Sequence, residues 1–228
     1  MNIFERIGRW LTPYKYAFED KDMVEYKVPE KATAVRRQRM KTKRQELDGE
    51  AKKELSDFLE RGEIGIKVVD INNIMSKEDA YIRLKSSDSH IGYFIHTDNH
   101  HQLAVKFEEN SAWKYYERSN KRRMKLRPLI EYTKKGSSDR THLIPVGFHG
   151  SENDERLLID FDSTINRQNL RKFEEYVSGV NEKSEVLWFI DIVRQDDDSV
   201  IWNAVVWDED GRIIIEDQFH DRNKFRWR

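Results

Sequence analysis

The sequence predicts an α+β fold built on an antiparallel sheet and preceded by a basic helical extension. Three observations predict it. Glu30–Arg61 has no proline, is rich in Ala, Leu, Glu, Lys and Arg, and is followed by Gly62, a residue suited to a helix C-terminus. Short apolar runs broken by Ser, Asp, Asn and Gly recur between 64 and 116 and again between 186 and 215. Between the two sets, Leu170, Phe173 and Val177 repeat at i, i+3, i+7, the stripe of one amphipathic helix. Residues 1–62 are expected to form the extension and 63–228 the α+β domain.

Composition bounds the classes. Of 228 residues 37% are apolar, six of them Trp, which is enough for a sizeable core, while 36% are charged. With no cysteine, disulfides and thiolate metal centres are excluded. No apolar run approaches the roughly 20 residues of a membrane-spanning helix. Met1–Tyr16 is interrupted by Glu5, Arg6 and Arg9, unlike a signal peptide. The default expectation is a cytoplasmic protein with no membrane partner, export by a signal-less route being the alternative. The net charge of −1 hides an asymmetry. Residues 151–228 hold 11 Lys and Arg against 19 Asp and Glu, leaving 30 against 23 for residues 1–150. A basic half of that kind suits a polyanionic partner.

Along the chain, Phe4, Ile7 and Leu11 lie on one helical face that ends at Pro13. In the following helix, Leu47, Ala51, Leu55, Phe58 and Leu59 form a packing stripe. Its first half carries Arg36, Arg37, Arg39, Lys41, Lys43 and Arg44. That cluster could grip phosphates or be a solvated face, and both readings stay open. Strands are predicted at Ile64–Val69, Ala80–Leu84, Ile91–His96, Leu103–Phe107 and Ala112–Tyr116, with His100 and His101 as exposed turn residues.

Lys114–Lys135 holds nine Lys or Arg against two Glu, interleaved with Trp113, Tyr115, Tyr116 and Tyr132. Cations neutralise phosphate and rings stack on bases, so this mixture suits a nucleic-acid groove. Arg122, Arg123, Lys125, Arg127, Lys134 and Lys135 are its candidate contacts, with Arg167 further on. Beyond it, Leu157–Ile159 reads as a short strand, Asp162–Thr164 as a helix cap, and Gly179 as the helix end. Val186–Val193, Val200–Trp207 and Arg212–Ile215 read as an acidic meander, its last turn marked by Asp210-Gly211. Such a meander repels phosphate and is expected to be scaffold.

Between the basic stretch and the meander runs Asp139-Arg140-Thr141-His142, Leu143-Ile144-Pro145, then Asn166 and, eight residues later, Glu174. These residues resemble the DNA/RNA non-specific endonuclease family, whose fold is called ββα-metal and whose motif reads Asp-Arg-Gly-His, Leu-x-Pro, Asn-x(7)-Glu. The resemblance covers residues 139–174 closely, extends to about residue 217, and covers nothing before 139. It implies a Mg²⁺-dependent endonuclease of low sequence specificity acting on DNA, with RNA as the alternative substrate, and a ββα-metal core over about 139–179. Asn166 would bind the metal directly and Glu174 would orient metal-bound water.

The residues suit that chemistry. Histidine accepts protons near neutral pH, which makes His142 the candidate general base. Pro145 and the apolar Leu143-Ile144 are expected to hold its backbone extended. Mg²⁺ keeps most of its water and needs one or two protein oxygens, which the Asn166 amide can supply; Mn²⁺ is the alternative ion. Asn166 and Glu174 can serve one ion only if Asn166 precedes the first full helical turn or Glu174 acts through water. Arg140 is the candidate phosphate or transition-state contact. Asp139 and His149 are second-rank candidates. Thr141 replaces the family's glycine, and Leu157 and Ser178 stand where family members carry Asn and Arg. These departures open two other readings: a nuclease-like domain that binds nucleic acid without cutting, or a toxin-like effector whose protein partner is an inhibitor.

Overall fold

The computed structural model describes residues 65–113, 123–134, 136–149 and 154–228. The predicted basic extension, with its arginine cluster, lies outside these residues. The described residues are a mixed α+β structure with two open sheets and few helices.

The larger sheet has six strands in the order β1 (Lys67–Asp70), β2 (Ile91–His96), β3 (His100–Phe107), β7 (Val186–Arg194), β8 (Val200–Trp207) and β9 (Ile213–Asp221). All its pairings are antiparallel except β1 with β2. Its central strands read as nearly continuous apolar runs because both faces are covered. Val186, Trp188, Ile190 and Ile192 alternate into the main core with Val200, Trp202, Ala204 and Val206. Leu187, Phe189, Val205 and Trp207 face the other way, onto Ala80 and Leu84 of α1 (Lys77–Lys85).

Helix α1 corrects the strand predicted at Ala80–Leu84. Ser76 accepts from the backbone N–H of Asp79, and the Asp79 carboxylate accepts from that of Ser76. This reciprocal cap selects helix over strand for a short apolar run. Two other expectations change. His100 and His101 lie in β3, not in a turn, and His101 is 0% exposed. Ser111–Trp113 is a 3₁₀ turn where a strand was expected.

The smaller sheet has the order β10 (Phe225–Trp227), β4 (Ile130–Tyr132), β6 (Leu158–Asp162) and β5 (Ser138–His142), with β4 and β6 parallel. Leu143 and Ile144 do not extend the strand past His142. They bend into the main core, ahead of the short helix α2 (Val146–His149). After β6 comes an unbroken helical segment: α3 (Ser163–Ile165), a π turn (Asn166–Leu170) and α4 (Arg171–Asn181). Leu170, Phe173 and Val177 face the main core as predicted, but α4 runs two residues past Gly179.

The two sheets are joined at Asp221, 1% exposed at the end of β9. Its carboxylate accepts from Tyr132 Oη, from the backbone N–H of Asp162 and from Asn223. The neighbouring carboxylate and burial together push the Tyr132 hydroxyl far above its ordinary value, burial being the larger cause. Among the described residues no helix is long and apolar enough to cross a membrane.

Candidate functional site

Strands β5 and β6 pair in unbroken antiparallel register, Asp139 opposite Phe161, Arg140 opposite Asp160 and His142 opposite Leu158. Side chains alternate across such a ladder. Asp139 and Thr141 therefore share the face of Ile159 and Phe161, which point into the main core. Ser138, Arg140 and His142 share the opposite face with Leu158 and Asp160.

On the core-side face a polar clasp forms at the helix entrance. Asp162 caps the segment, accepting from the backbone N–H groups of Thr164 and Ile165. That cap starts the helix at Ser163, so Asn166 is its fourth residue, at the close of the first turn and not ahead of it, which leaves the expected route in which Glu174 acts through water. Asn166 Nδ2 donates to Asp139 Oδ2 at 3.1 Å, and Arg167 donates to both oxygens of Asp139 at 2.7 and 2.6 Å. Arg167 and, secondly, Asn166 hold the Asp139 carboxyl below its ordinary value against the opposing effect of burial. The Arg171 N–H reaches Asn166 O, five residues back, which is the widened turn of a π-helix.

On the opposite face Arg140 donates to Asp160 Oδ1 at 3.3 Å and to the carbonyl of Leu126, pinning the basic segment to β5. His142 is 7% exposed and its Nε2 atom is fully buried. Three strand positions, about 10 Å, separate it from Asp139. The structure thus gathers Asp139, Asn166 and Arg167 on one side of β5, and Arg140 with Asp160 on the other, beside His142.

Glu174 lies half-buried in α4, and its carbonyl accepts from Ser178 Oγ. Of the candidate substrate contacts, Lys125 and Lys134 are exposed, Arg127 is paired with Glu131, and Arg123 is half-buried. Arg122 and Lys135 lie outside the described residues, and of His149 only the backbone is described.

Compared with family models, curated proteins and solved structures, the chain matches none. The resemblance therefore rests on the motif residues alone.

For a divalent ion, the Asn166 amide nitrogen is committed to Asp139, which leaves its oxygen as the atom able to take a cation. An oxygen donor of that kind fits a largely hydrated Mg²⁺. Among the described residues no group of three or more His, Asp or Glu could form a complete cage. A cavity of about 410 Å³ lies elsewhere, on the α1 side of the larger sheet, and no motif residue lines it. Sequence reasoning missed Asp160 as the partner of Arg140. The signal was available in part: Asp160 interrupts the buried pair Ile159 and Phe161 with strand alternation.

Proposed function

We propose that this chain is a Mg²⁺-dependent endonuclease of low sequence specificity, acting on DNA, with RNA as the alternative substrate. Its core would be a ββα-metal unit made of β5, β6 and the helical segment from Ser163. One observation carries the reading: the antiparallel pair leads straight into a helical segment whose first turn Asn166 closes, its amide nitrogen fixed by the motif's own Asp139. Fixing the nitrogen fixes which way the oxygen points, and that is what a single-oxygen metal site needs. A bound divalent ion would offset charge on the phosphoryl oxygens.

The chain's residues would then divide the remaining work. Lys125 and Lys134 are available to phosphate. Arg167, largely exposed in its ion pair with Asp139, can exchange that carboxylate for a phosphate oxygen. His142 would accept the proton from water. To do so it must reach the Asn166 side of β5, a rearrangement that substrate or metal has to bring about.

That requirement favours a second reading, a nuclease-like domain that holds nucleic acid and does not cut it. Thr141 supports it physically. A β-branched residue keeps β5 in regular alternation, where a glycine would permit the bulge that re-aims a neighbouring side chain. Plasmid degradation with Mg²⁺, with and without EDTA, separates the two. The endonuclease cuts only with metal, and His142→Ala and Asn166→Ala each abolish cutting. Salt-sensitive DNA binding without turnover is the outcome for the binding domain. Failure of both cutting and binding removes nucleic acid as the partner.

A further inference from the structure

The β2–β3 hairpin carries a pair of imidazoles that the reading above does not use. His96 and His101 face each other across the hairpin, and their Nδ1 atoms approach to 2.9 Å. Outward from that contact, His101 Nε2 lies 3.0 Å from the carbonyl oxygen of Arg156 and His96 Nε2 lies 2.6 Å from the main-chain oxygen of Arg228. Three segments remote in sequence meet on these two rings: the hairpin, the turn leading into β6, and the end of β10. Trp227 covers them, stacked on His96 at 5.1 Å and 18°, with its indole N–H donated to Thr97 O.

A proton count exposes the weakness of this arrangement. Each contact to a main-chain oxygen needs a ring N–H, and the Nδ1–Nδ1 contact needs one proton between the rings. Three protons are required, and two neutral imidazoles carry two. One contact is therefore lone pair against lone pair while the rings are neutral. A third proton would complete the set but would place a cation against the wholly buried ring of His101. Burial is the larger cause at both rings: it pushes His101 down to about 3 and lowers His96.

The surrounding charges do little to relieve that cost. From the end of β10, the Arg228 guanidinium opposes a charge on His96, and from the hairpin turn Asp98 favours it. From the turn before β6, Arg156 is ion-paired with Asp154 and Asp70, and Glu155 lies 3.8 Å from Arg228. Beside the pair on β3, His100 is bound to Asp191 on the opposite face of the strand. From the β4 side, Glu131 is held by Arg127 and Arg226.

We propose that His96 and His101 form an acid-opened latch. It is closed while both rings are neutral, and it opens when His96 takes a proton and turns out to water, releasing Trp227 and Arg228 from the hairpin. His96 is the ring that leaves, because it is partly exposed and His101 is wholly buried. Arg228 also donates from its backbone N–H to Leu129 O and from its guanidinium to Arg127 O and Pro128 O. These bonds carry any displacement of the end of β10 to the basic segment. The latch stands whether or not the chain cuts nucleic acid.

Hydrogen exchange read by mass spectrometry on peptides covering 222–228 tests it, from about pH 7.5 to about pH 5, corrected for intrinsic exchange. In the wild type, protection of 225–228 is expected to fall at least about tenfold on acidification while β7 and β8 stay protected. His96→Phe keeps a ring to stack on Trp227 but has no site for a proton, and its protection is expected to stay flat. A wild type whose protection does not change overturns the latch, as does a variant that loses protection along the same curve. Should His96→Phe fail to fold, ¹⁵N spectra of the wild-type histidines decide. His96 must titrate together with the loss of protection, and release without that titration rejects the proposal.

Discussion

The two sheets are held together by different forces. The six-stranded sheet is an apolar structure: Trp188 and Trp202 are buried on its inner face, and Phe161 and Phe173 pack against them. The four-stranded sheet has strands of three to five residues, and directed polar contacts locate it. Ile130, Ile159, Phe161 and Phe225 anchor it in the main core, and Asp221, Arg140 and Asp139 add the directed contacts that join its segments to their neighbours. Hydrophobic burial is non-directional and tolerates small shifts, whereas a hydrogen bond to a buried carboxylate does not. The motif sits in the sheet whose geometry depends on a few side chains. Substitutions should therefore act on the larger sheet through stability and on the smaller one through position.

The largest effect is expected in the larger sheet. Trp202→Ala deletes a fully buried side chain and leaves a cavity, at a cost of about 3–5 kcal/mol. Urea denaturation followed by circular dichroism should show a lower midpoint. A loss below about 1 kcal/mol would mean that the sheet is not held by its core.

Asp221→Ala should cost less in total but more selectively. It strands the Tyr132 hydroxyl and the Asp162 N–H, two part-buried donors at about 1 kcal/mol each. Hydrogen exchange is expected to rise in β4 and β6 while β7 and β8 remain protected. Equal loss in both sheets would erase the distinction between them.

Acid stability sharpens the comparison at the hairpin of the larger sheet. The folded-state value of His101, about 3, lies below the value near 6.5 expected when unfolded. The unfolded chain therefore binds the proton first. The contribution is complete above about pH 6.5 and is lost as pH falls toward the folded value, at up to about 1.4 kcal/mol per unit. Urea midpoints between about pH 7 and about pH 5 should decline in the wild type and decline less in His101→Phe. Parallel slopes would remove His101 from the acid transition.

The same division explains what the sequence made legible. Strand β8 was predicted at its observed limits, Val200–Trp207, because an apolar run between turn signals needs no knowledge of its neighbours. Helix α1 was missed because Ala80–Leu84 is short and apolar, a pattern that strand and buried helix share. The Ser76–Asp79 cap was the discriminating signal. His101 was misread because its burial follows from pairing with His96 and from the arrival of Arg156 and Trp227, none of which is local. In the motif, the spacing set only a condition, that Asn166 precede the first full turn or Glu174 act through water, and the structure puts Asn166 fourth in the helical segment. The face occupied by His142 was not legible, since alternation fixes sides only relative to a partner layer that the sequence does not name.

Thr141 offers the smallest and most informative perturbation. In its present state it faces the core beside Ile159, and its hydroxyl donates to Asp139 O, so β5 keeps regular alternation through His142. Thr141→Gly removes a β-branched side chain from a strand interior and should cost about 1 kcal/mol, below the two substitutions above. Its positional effect runs the other way. Glycine permits a bulge at 141, which would carry His142 toward the face where Asp139 holds Asn166. Mg²⁺-dependent plasmid cutting by Thr141→Gly is then expected to exceed that of the wild type despite the lost stability, and adding His142→Ala should cancel the gain. If cutting falls in step with stability, the backbone at 141 does not control the base, and the orientation of His142 in β5 is set by the packing around it.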